Sequence, residues 1–576
     1  MKYKRDYTAD SRMLFISAIA LVIGAASTGA AWILLKLIAF FNNLFYFQVF
    51  SLAPSSPALH KLGWLAIGLP VLGGLIVGCM ARYGSEKIRG HGIPEAIEAI
   101  LFGKSRMSAS VALLKPLSSG IVIGSGGPFG AEGPIIMTGG SIGSLLAQCL
   151  HVTAVERKAL LVSGACAGMT AIFGTPVAAV LLAVELLLFE LKPRSLIPVT
   201  LACAVAGFLR PLGFDAGPLF PMQIDTPGTM VLVYCMVAGL ASGLLAATLT
   251  LALYRVEDWF HRLPLHWMWW PALGGVVIGI GGYLQPRALG VGYDVIADLL
   301  QNHLAISAAL LLLLVKAVIW LIALGSGTSG GVLAPLLMIG AGLGLSLSPL
   351  LPGAGPGLWA LVCMAGVLGS VLGAPLTAIV FAFGLTHASA ALLPLMMTTA
   401  VAYGVNVLLM KRSIMTEKIA RRGLHVHREY AVDPLERQHV EDIMTHQPHS
   451  LDAGMSVAEA LAYCGRSAVP HRYFPLTDNG RLVGMLALGR LQQSALDVLC
   501  GDLLAEDVAL EDGLLLPHMT ARACAAVMAR LQLGRLPVVD DHRRRRLVGV
   551  VSLSDLARAG MTHAQEESVR EKTCGF

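Results

Sequence analysis

The chain has 576 residues, of which 55% are hydrophobic and only 14% are charged, and its formal net charge is +6. This composition excludes an ordinary soluble domain, in which about a quarter of residues are charged, and indicates a polytopic membrane protein. The ten cysteines contain no Cys-x-x-Cys pair, so the sequence predicts neither a disulfide framework nor a zinc site. In such a protein the excess positive charge belongs to cytoplasmic loops and tails, and we expect no nucleic-acid partner.

A basic start, Met1-Lys-Tyr-Lys-Arg-Asp6, precedes a long apolar run over 14–41, which predicts an N-terminus on the cytoplasmic side. Apolar segments then recur as far as residue 410, and several are too short to cross about 30 Å at about 1.5 Å per residue. Short helices in a membrane must end inside protein or line a watery cavity. We therefore predict an all-α membrane domain over 1–423 that contacts lipid and contains re-entrant half-helices.

A glycine-rich stretch over 124–134 contains one carboxylate, Glu132, in apolar surroundings. Gly130 and Gly133 permit close backbone approach, and Pro134 suits the first turn of a helix. A helix is therefore predicted to start beside Glu132, with its unpaired N–H groups aimed at that carboxylate or at an anion replacing it. Taken alone, a loop that merely lets helices pack explains the stretch equally well. A P-loop is disfavoured because no Gly-Lys-Ser/Thr follows.

A second copy of this stretch lies 201 residues later, over 325–344. The matched pairs are Gly124/Gly325, Ser125/Ser326, Gly126/Gly327, Gly130/Gly331, Pro134/Pro335, Met137/Met338, Gly139/Gly340 and Gly143/Gly344. Lys115 and Lys316 match at the same shift, and Gly90-His-Gly92 aligns with Gly290-Val-Gly292. Broken apolar segments at corresponding places in two halves predict a transporter-type binding site near mid-membrane.

Composition changes at Lys411, beyond which no run could span a bilayer. Residues 424–439 are polar and histidine-rich, and their irregular spacing favours a solvated linker over a metal site. The segments 440–501 and 502–562 read as two copies of a soluble α/β module, because Glu441-Asp-Ile-Met is echoed by Glu506-Asp-Val-Ala and paired strand-like runs follow in each. Residues 563–576 are predicted to be a flexible tail.

Three motifs resemble those of the CLC family of chloride channels and proton/chloride exchangers. Gly90-His-Gly-Ile-Pro94 is similar to the family's GSGIP, Gly130-Ala-Glu-Gly-Pro134 to its GKEGP or GREGP, and Gly331-Val-Leu-Ala-Pro335 to its GxFxP. The C-terminal pair resembles CBS domains. The resemblance covers the whole membrane part. It implies a homodimer with one ion pathway per subunit and two inverted-topology halves, in the cell's inner (plasma) membrane with the CBS pair cytoplasmic.

The resemblance implies that Glu132 is the gating carboxylate and that chloride, or another small anion, binds around it. The implied anion-binding positions are His91, Gly92, Ile93, Gly130, Ala131, Gly133, Val332, Leu333 and Met415. His91 replaces the family's usual serine, and its ring could donate a hydrogen bond, attract the anion as a cation, or turn away. Met415 stands where the family has a coordinating tyrosine and donates nothing; Tyr403 is a nearby alternative.

Elementary electrostatics supports several converging helix starts. Moving a bare anion into low dielectric costs on the order of 20 kcal/mol in the idealised limit, whereas one helix terminus returns about 0.3–2 kcal/mol. Three helix starts with backbone donors in a watery cavity can hold an anion weakly enough for release. No cofactor is required for such transport.

The position of the exchangers' inner proton-carrying glutamate is Leu186, directly after Glu185, which matches a glutamate common to the family. Leucine cannot relay a proton. Glu190, one turn further on, is either a substitute carrier or a solvated residue at a helix end. The sequence therefore favours a voltage- or pH-gated, channel-like chloride pathway, with proton/chloride antiport as the alternative.

In the second module, Gly549-Val-Val-Ser552-Leu-Ser-Asp555 is similar to the ribose-binding pattern of nucleotide-binding CBS domains. Ser552 and Asp555 would then hold an adenine nucleotide, whereas the first copy has Ala487 and Arg490 at the equivalent points. A purely structural or dimer-forming pair is equally compatible. An enzyme is disfavoured because no nucleophile–base pair or metal cluster occurs in the apolar region. A membrane sensor that reads nucleotide through the CBS pair remains an alternative from another class.

Overall fold

A computed structural model describes residues 11–426, 435, 438–465, 473–489, 513–541, 543–568 and 570–571. The chain divides into two compact units, Met1–Arg428 with Arg570–Phe576, and Glu429–Val569. The first unit is helical, and the second contains small β-sheets with helices. The predicted fold class, an all-α membrane domain followed by an α/β module pair, is confirmed.

The first unit contains two successive sets of helices. The first set is α1 (Arg12–Asn42), α2 (Gly68–Tyr83), α3 (Ile93–Leu101), α4 (Ala109–Gly124), α5 (Glu132–Gln148), α6 (Ala154–Phe173), α7 (Pro176–Leu182) and α8 (Pro193–Leu209). The second set is α9 (Val231–His261), α10 (Trp270–Leu284), α11 (Tyr293–Leu300), α12 (Ile306–Gly325), α13 (Leu333–Leu347), α14 (Pro356–Leu372), α15 (Pro375–Thr386) and α16 (Leu392–Leu409). A last helix, α17 (Ile414–Arg421), follows the second set. A two-residue strand, β1 (Val152–Thr153), pairs with Arg570–Glu571.

Within the described residues, seven helical segments are long and apolar enough to cross a membrane. They are Arg12–Phe47, Gly63–Tyr83, Pro193–Leu212, Val231–His261, Ile306–Gly325, Leu333–Leu350 and Ser389–Arg421. Other helices are much shorter: α7 has 7 residues, α11 has 8 and α3 has 9. At about 1.5 Å per residue these cannot cross a bilayer. Their shortness matches the half-helices expected from the interrupted apolar pattern.

Repeat-matched glycines let equivalent helix pairs approach in both halves. A Cβ on Gly143 of α5 would clash with the Leu160 carbonyl of α6, and a Cβ on Gly344 of α13 would clash with the Trp359 carbonyl of α14. Close backbone contact through small residues is the usual means by which membrane helices associate. The glycines conserved between the two sequence copies therefore support the same packing twice.

The described residues of the second unit form two three-stranded sheets. One is β3 (Leu451–Asp452), β4 (Tyr473–Asp478) and β5 (Arg481–Ala487), and the other is β2 (Thr445–His446), β7 (Leu547–Ser552) and β6 (Arg535–Val539). The helices among these residues are Val440–Ile443, Val457–Gly465, Ala521–Leu531 and Leu553–Ser568. β4 and β5 form an antiparallel hairpin whose turn, Asn479-Gly480, has positive φ at both residues. This is the turn that the Asp478-Asn-Gly480 sequence predicts.

The sheets do not follow the order of the chain. β2 pairs with β7, so a strand that the sequence assigns to the first module completes the sheet of the second. Val440, just before β2, packs in one core with Leu515 and Leu536. Glu506 and Arg490, used in the sequence comparison of the two modules, lie outside the described residues, as do most of the linker and residues 572–576.

Candidate anion site

The two glycine-rich stretches meet at the centre of the first unit. The amide of Gly130 donates to the carbonyl of Gly331 (3.3 Å), and the amide of Gly331 donates to the carbonyl of Gly130 (3.0 Å). These residues are equivalent in the two sequence copies. Because α5 and α13 each begin two residues after this pairing, their N-termini converge on one point. Converging helix N-termini form a region suited to an anion.

Glu132 lies at this point, and its side chain is completely buried. The Ala334 amide in the first turn of α13 donates to Oε1 of Glu132 (3.1 Å). The second carboxylate oxygen, Oε2, finds no hydrogen-bond partner among the described residues. Burying a carboxylate oxygen without a hydrogen bond costs free energy. The described residues therefore give Glu132 a polar position but satisfy the hydrogen-bonding capacity of only one of its two oxygens. The carboxylate thus sits where a free anion would find the same amide.

The loop before α3 completes the group of helix starts. Gly92 caps α3 with φ of +88°, a conformation that favours glycine. A Cβ on Gly133 would clash with the His91 carbonyl, and a Cβ on Gly92 would come within 2.7 Å of the Gly133 carbonyl. The backbones of the two motifs are therefore in direct contact. This brings His91, Gly92 and Ile93 beside the first turn of α5.

His91 is 2% exposed, and its Nδ1 has no hydrogen-bond partner in the part of the chain that the structure covers. The ring is thus buried next to the α5 start, whichever tautomer it adopts. An unpartnered imidazole nitrogen at this place is available to bind a ligand.

Two buried lysines, matched in the sequence repeat, hold equivalent loops. Nζ of Lys115 donates to the carbonyls of Ile88 and Gly90, both at 2.8 Å. Nζ of Lys316 donates to the equivalent carbonyls, those of Ala288 and Gly290, both at 2.9 Å. The sequence repeat pairs these two lysines but does not indicate what they bind. Each lysine fixes the loop that precedes a short helix, α3 or α11.

Glu95 links the His91 loop to α17. Its Oε2 accepts from the Gly92 amide (3.0 Å), while its Oε1 accepts from Nζ of Lys418 (2.8 Å) and from Arg422 (3.3 Å). Met415 is buried in the same helix, one turn before Lys418. The structure therefore places the α17 segment that carries Met415 against α3. Tyr403, the alternative to Met415, lies in the preceding helix α16.

Leu186 is completely buried in a π-helical turn, Ala183–Leu188. Its neighbour Glu185 caps α15, accepting from the Leu376 amide (3.2 Å) and from the Thr377 amide and hydroxyl (2.7 Å each). These three hydrogen bonds satisfy two backbone N–H groups in the first turn of α15 that have no partner within the helix. Glu185 therefore has a structural role that its sequence position did not reveal, because the partners lie about 190 residues away.

Glu190 lies between two lysines, with Nζ of Lys158 at 3.6 Å and Nζ of Lys192 at 3.5 Å, and it accepts from the Ser195 hydroxyl (2.8 Å). Burial alone would raise the pKa of its carboxyl, but the lysine charges and the Ser195 hydrogen bond outweigh it and lower the pKa. A lowered carboxyl pKa means that the group stays ionised at neutral pH. This environment is poorly suited to a group that must take up and release protons.

In the second unit, Asp555 accepts from the Ser552 amide (2.9 Å) and from its hydroxyl (2.6 Å). The Asp555 amide in turn donates to the Ser552 hydroxyl oxygen (3.3 Å), which completes a reciprocal cap at the start of the helix Leu553–Ser568. The two residues predicted to bind a nucleotide, Ser552 and Asp555, are therefore in direct contact. Their hydrogen bonds also form a helix cap, which explains the contact without a ligand.

Comparison with known proteins identifies the class to which this fold and site belong. The family model described as voltage gated chloride channel matches residues 73–407, and the CBS domain model matches 440–494 and 514–562. A putative ClcB-like chloride channel protein from Ralstonia nicotianae is 32% identical over 59% of this chain and 82% of its own length. A proton/chloride exchange transporter, ClcA, from Klebsiella pneumoniae is 27% identical over 58% and 74%.

Solved structures show the same fold. A slow cyanobacterial chloride/proton antiporter aligns with a TM-score of 0.63 at 23% identity, covering 72% of this chain and 99% of the other. A eukaryotic CLC transporter aligns with a TM-score of 0.64 at 18% identity, covering 95% and 99%. The chain belongs to the voltage-gated chloride channel (CLC) family and carries CBS domains. It is accordingly a multi-pass membrane protein of anion transport and not an enzyme.

Proposed function

We propose that this protein conducts chloride, or another small anion, through a channel-like pathway gated by Glu132. The observation that carries the proposal is the hydrogen bond from the Ala334 amide to Glu132, which joins the carboxylate of one repeat to the helix start of the other. In this conformation the carboxylate competes with an anion for that amide. Protonation or displacement of Glu132 frees it, and the pathway opens.

The remaining anion ligands of the proposal come from the three motifs. They are His91, Gly92 and Ile93 at the start of α3, Gly130, Ala131 and Gly133 before and within α5, Val332 and Leu333 at the start of α13, and Met415 in α17. The mutual contacts of these loops support grouping them around one site. Met415 would contribute shape and not a hydrogen bond, because a thioether is no donor.

Proton/chloride antiport is the second candidate, favoured by the relatives described as exchangers. Exchange needs a proton carrier between the cytoplasm and Glu132. Leu186 cannot serve, Glu185 is committed to capping α15, and Glu190 is held as an ion by lysines. These surroundings favour the channel-like mechanism.

The experiment that separates the two is a reversal-potential measurement on purified protein in liposomes, with chloride and pH gradients set independently. We expect the reversal potential to follow the chloride gradient alone. A matched Glu190→Gln variant should behave identically, because a fixed ion carries no protons. Uphill proton pumping driven by chloride, in a fixed ratio, would contradict the channel mechanism and favour antiport.

His91 offers a test of the anion contacts. If a ring nitrogen donates to the anion, His91→Ala should weaken chloride binding by roughly tenfold, the order expected for a hydrogen bond to a charged group. His91→Ser, which restores a hydroxyl donor, should recover much of the affinity. Titration calorimetry on the purified protein measures both. Wild-type affinity in His91→Ala would mean that the ring is turned away and only backbone groups bind.

We further propose a homodimer in the inner (plasma) membrane, surrounded by lipid, with the N-terminus and the CBS pair in the cytoplasm. The basic residues before α1 support this orientation. An adenine nucleotide bound through Ser552 and Asp555 is the proposed regulatory ligand. Their reciprocal cap would have to share the Asp555 carboxylate with the ribose hydroxyls.

A further inference from the structure

Tyr293 is the first residue of α11 and directly follows Gly292, the repeat equivalent of Gly92. A Cβ on Gly292 would clash with the Met338 side chain of α13, so the start of α11 packs against the first turns of that helix. The same first turns carry the Ala334 amide that binds Glu132. Tyr293 therefore approaches the gate from the second repeat, as His91 does from the first.

The two loops occupy corresponding positions in the two sequence repeats. In inverted repeats, corresponding segments are related by an axis in the membrane plane, so equivalent loops enter from opposite membrane faces. His91 and Tyr293 then flank Glu132 along the path of an anion. Each carries a side chain that can donate a hydrogen bond.

The Tyr293 hydroxyl is buried and has no hydrogen-bond partner in the described ranges. The hydroxyls of two buried tyrosines are paired instead: Tyr46 donates to the Ser125 carbonyl (3.0 Å) and Tyr254 to the Ile414 carbonyl (2.5 Å). Leaving a buried hydroxyl unpaired typically costs about 1–3 kcal/mol. The unpaired Tyr293 hydroxyl beside the proposed anion path therefore indicates a hydrogen-bond partner that is bound only part of the time.

The ring of Tyr293 is held in place by aromatic neighbours. Its centroid lies 6.1 Å from that of Phe173 and 6.3 Å from that of Phe220, both in edge-to-face geometry. The Tyr293 hydroxyl and Oε2 of Glu132 are not hydrogen-bonded to each other in this conformation, since both atoms are without partners among the described residues.

We propose that the Tyr293 hydroxyl donates a hydrogen bond to the permeating small anion on the side of Glu132 opposite His91. This rests on the proposed anion pathway through Glu132. The Tyr293 hydroxyl adds a side-chain donor to the backbone groups of the three motifs. Met415 supplies no such donor, because a thioether cannot donate a hydrogen bond.

The test is Tyr293→Phe, which removes only the hydroxyl, in the full chain with Glu132 intact and in a Glu132→Ala background. Chloride is titrated calorimetrically in each. We expect the affinity to fall by about tenfold in both backgrounds, while the thermal midpoint stays the same or rises because an unpaired polar atom has been removed. Tyr46→Phe is the matched control: it loses a satisfied buried hydroxyl, so its midpoint should fall while chloride affinity stays within about twofold.

Unchanged affinity in Tyr293→Phe would overturn the Tyr293 contact alone. A loss confined to the background with Glu132 intact would also overturn it, because the hydroxyl would then serve the carboxyl group and not the anion. Absence of chloride binding in both the wild type and Glu132→Ala would overturn the proposed pathway itself, and this proposal with it.

Discussion

Glu132→Gln is expected to transport chloride at a rate that no longer depends on pH. The neutral amide cannot titrate, and it loses the charge-assisted bond with the Ala334 amide, which is worth about 1.5–3 kcal/mol for a charged acceptor. At alkaline pH, where the wild-type carboxylate is ionised and occupies that amide, the variant should conduct roughly tenfold faster or more. Chloride efflux from liposomes at pH 5 to 9, about the range over which a buried carboxyl titrates, measures the effect.

Glu190→Gln is the matched control for this prediction. It neutralises another largely buried carboxylate, but one that lies between Lys158 and Lys192 and has no described hydrogen bond to α3, α5 or α13. Its pH response should equal that of the wild type. A wild-type pH response in Glu132→Gln would show that the gate lies elsewhere in the pathway.

Gly133→Ala is expected to abolish anion transport and to lower the stability of the membrane domain. The new methyl group would clash with the His91 carbonyl and lie 3.2 Å from Cα of Gly331, and both are backbone atoms that cannot rotate away. Overpacking of this kind typically costs about 1–3 kcal/mol, and here it forces apart the three loops that form the site. Thermal unfolding in detergent and chloride efflux report the two effects.

Gly404→Ala provides the comparison, since it makes the same change within α16. Among the residues that the structure covers, a Cβ at Gly404 has no neighbour within 4 Å. Its stability should be unchanged or slightly higher, by up to about 1 kcal/mol, and its transport unchanged. If Gly133→Ala behaved in the same way, the three loops would not be in the close contact described for them.

The two buried lysines hold the backbone of equivalent loops in the two halves. Nζ of Lys115 donates to carbonyl oxygens before α3, and Nζ of Lys316 donates to carbonyl oxygens before α11. These hydrogen bonds satisfy buried carbonyl groups and fix the positions from which the two short helices begin.

Much of the organisation was predictable from local sequence. Composition predicts the membrane domain, because apolar surface and low charge suit a bilayer, and the 201-residue shift predicts two equivalent halves. Glycine and proline determine where α5 and α13 begin, since these residues act through backbone geometry that neighbours in the chain define. The Asp478-Asn-Gly480 turn of the second unit was predictable for the same reason.

The partners of the polar groups were not predictable in this way. Glu132 bonds to Ala334, Glu185 caps a helix that starts at Pro375, and β2 joins β7 rather than a strand of its own module. Motifs in the sequence identify Glu132 and Glu185. No motif indicates a role for Tyr293, and the repeat pairs Lys115 with Lys316 without indicating what they bind. The physical reason is that propensity and periodicity act over a few residues. Burial and hydrogen bonding of a side chain depend instead on which distant helices pack beside it, and the tertiary structure alone decides that.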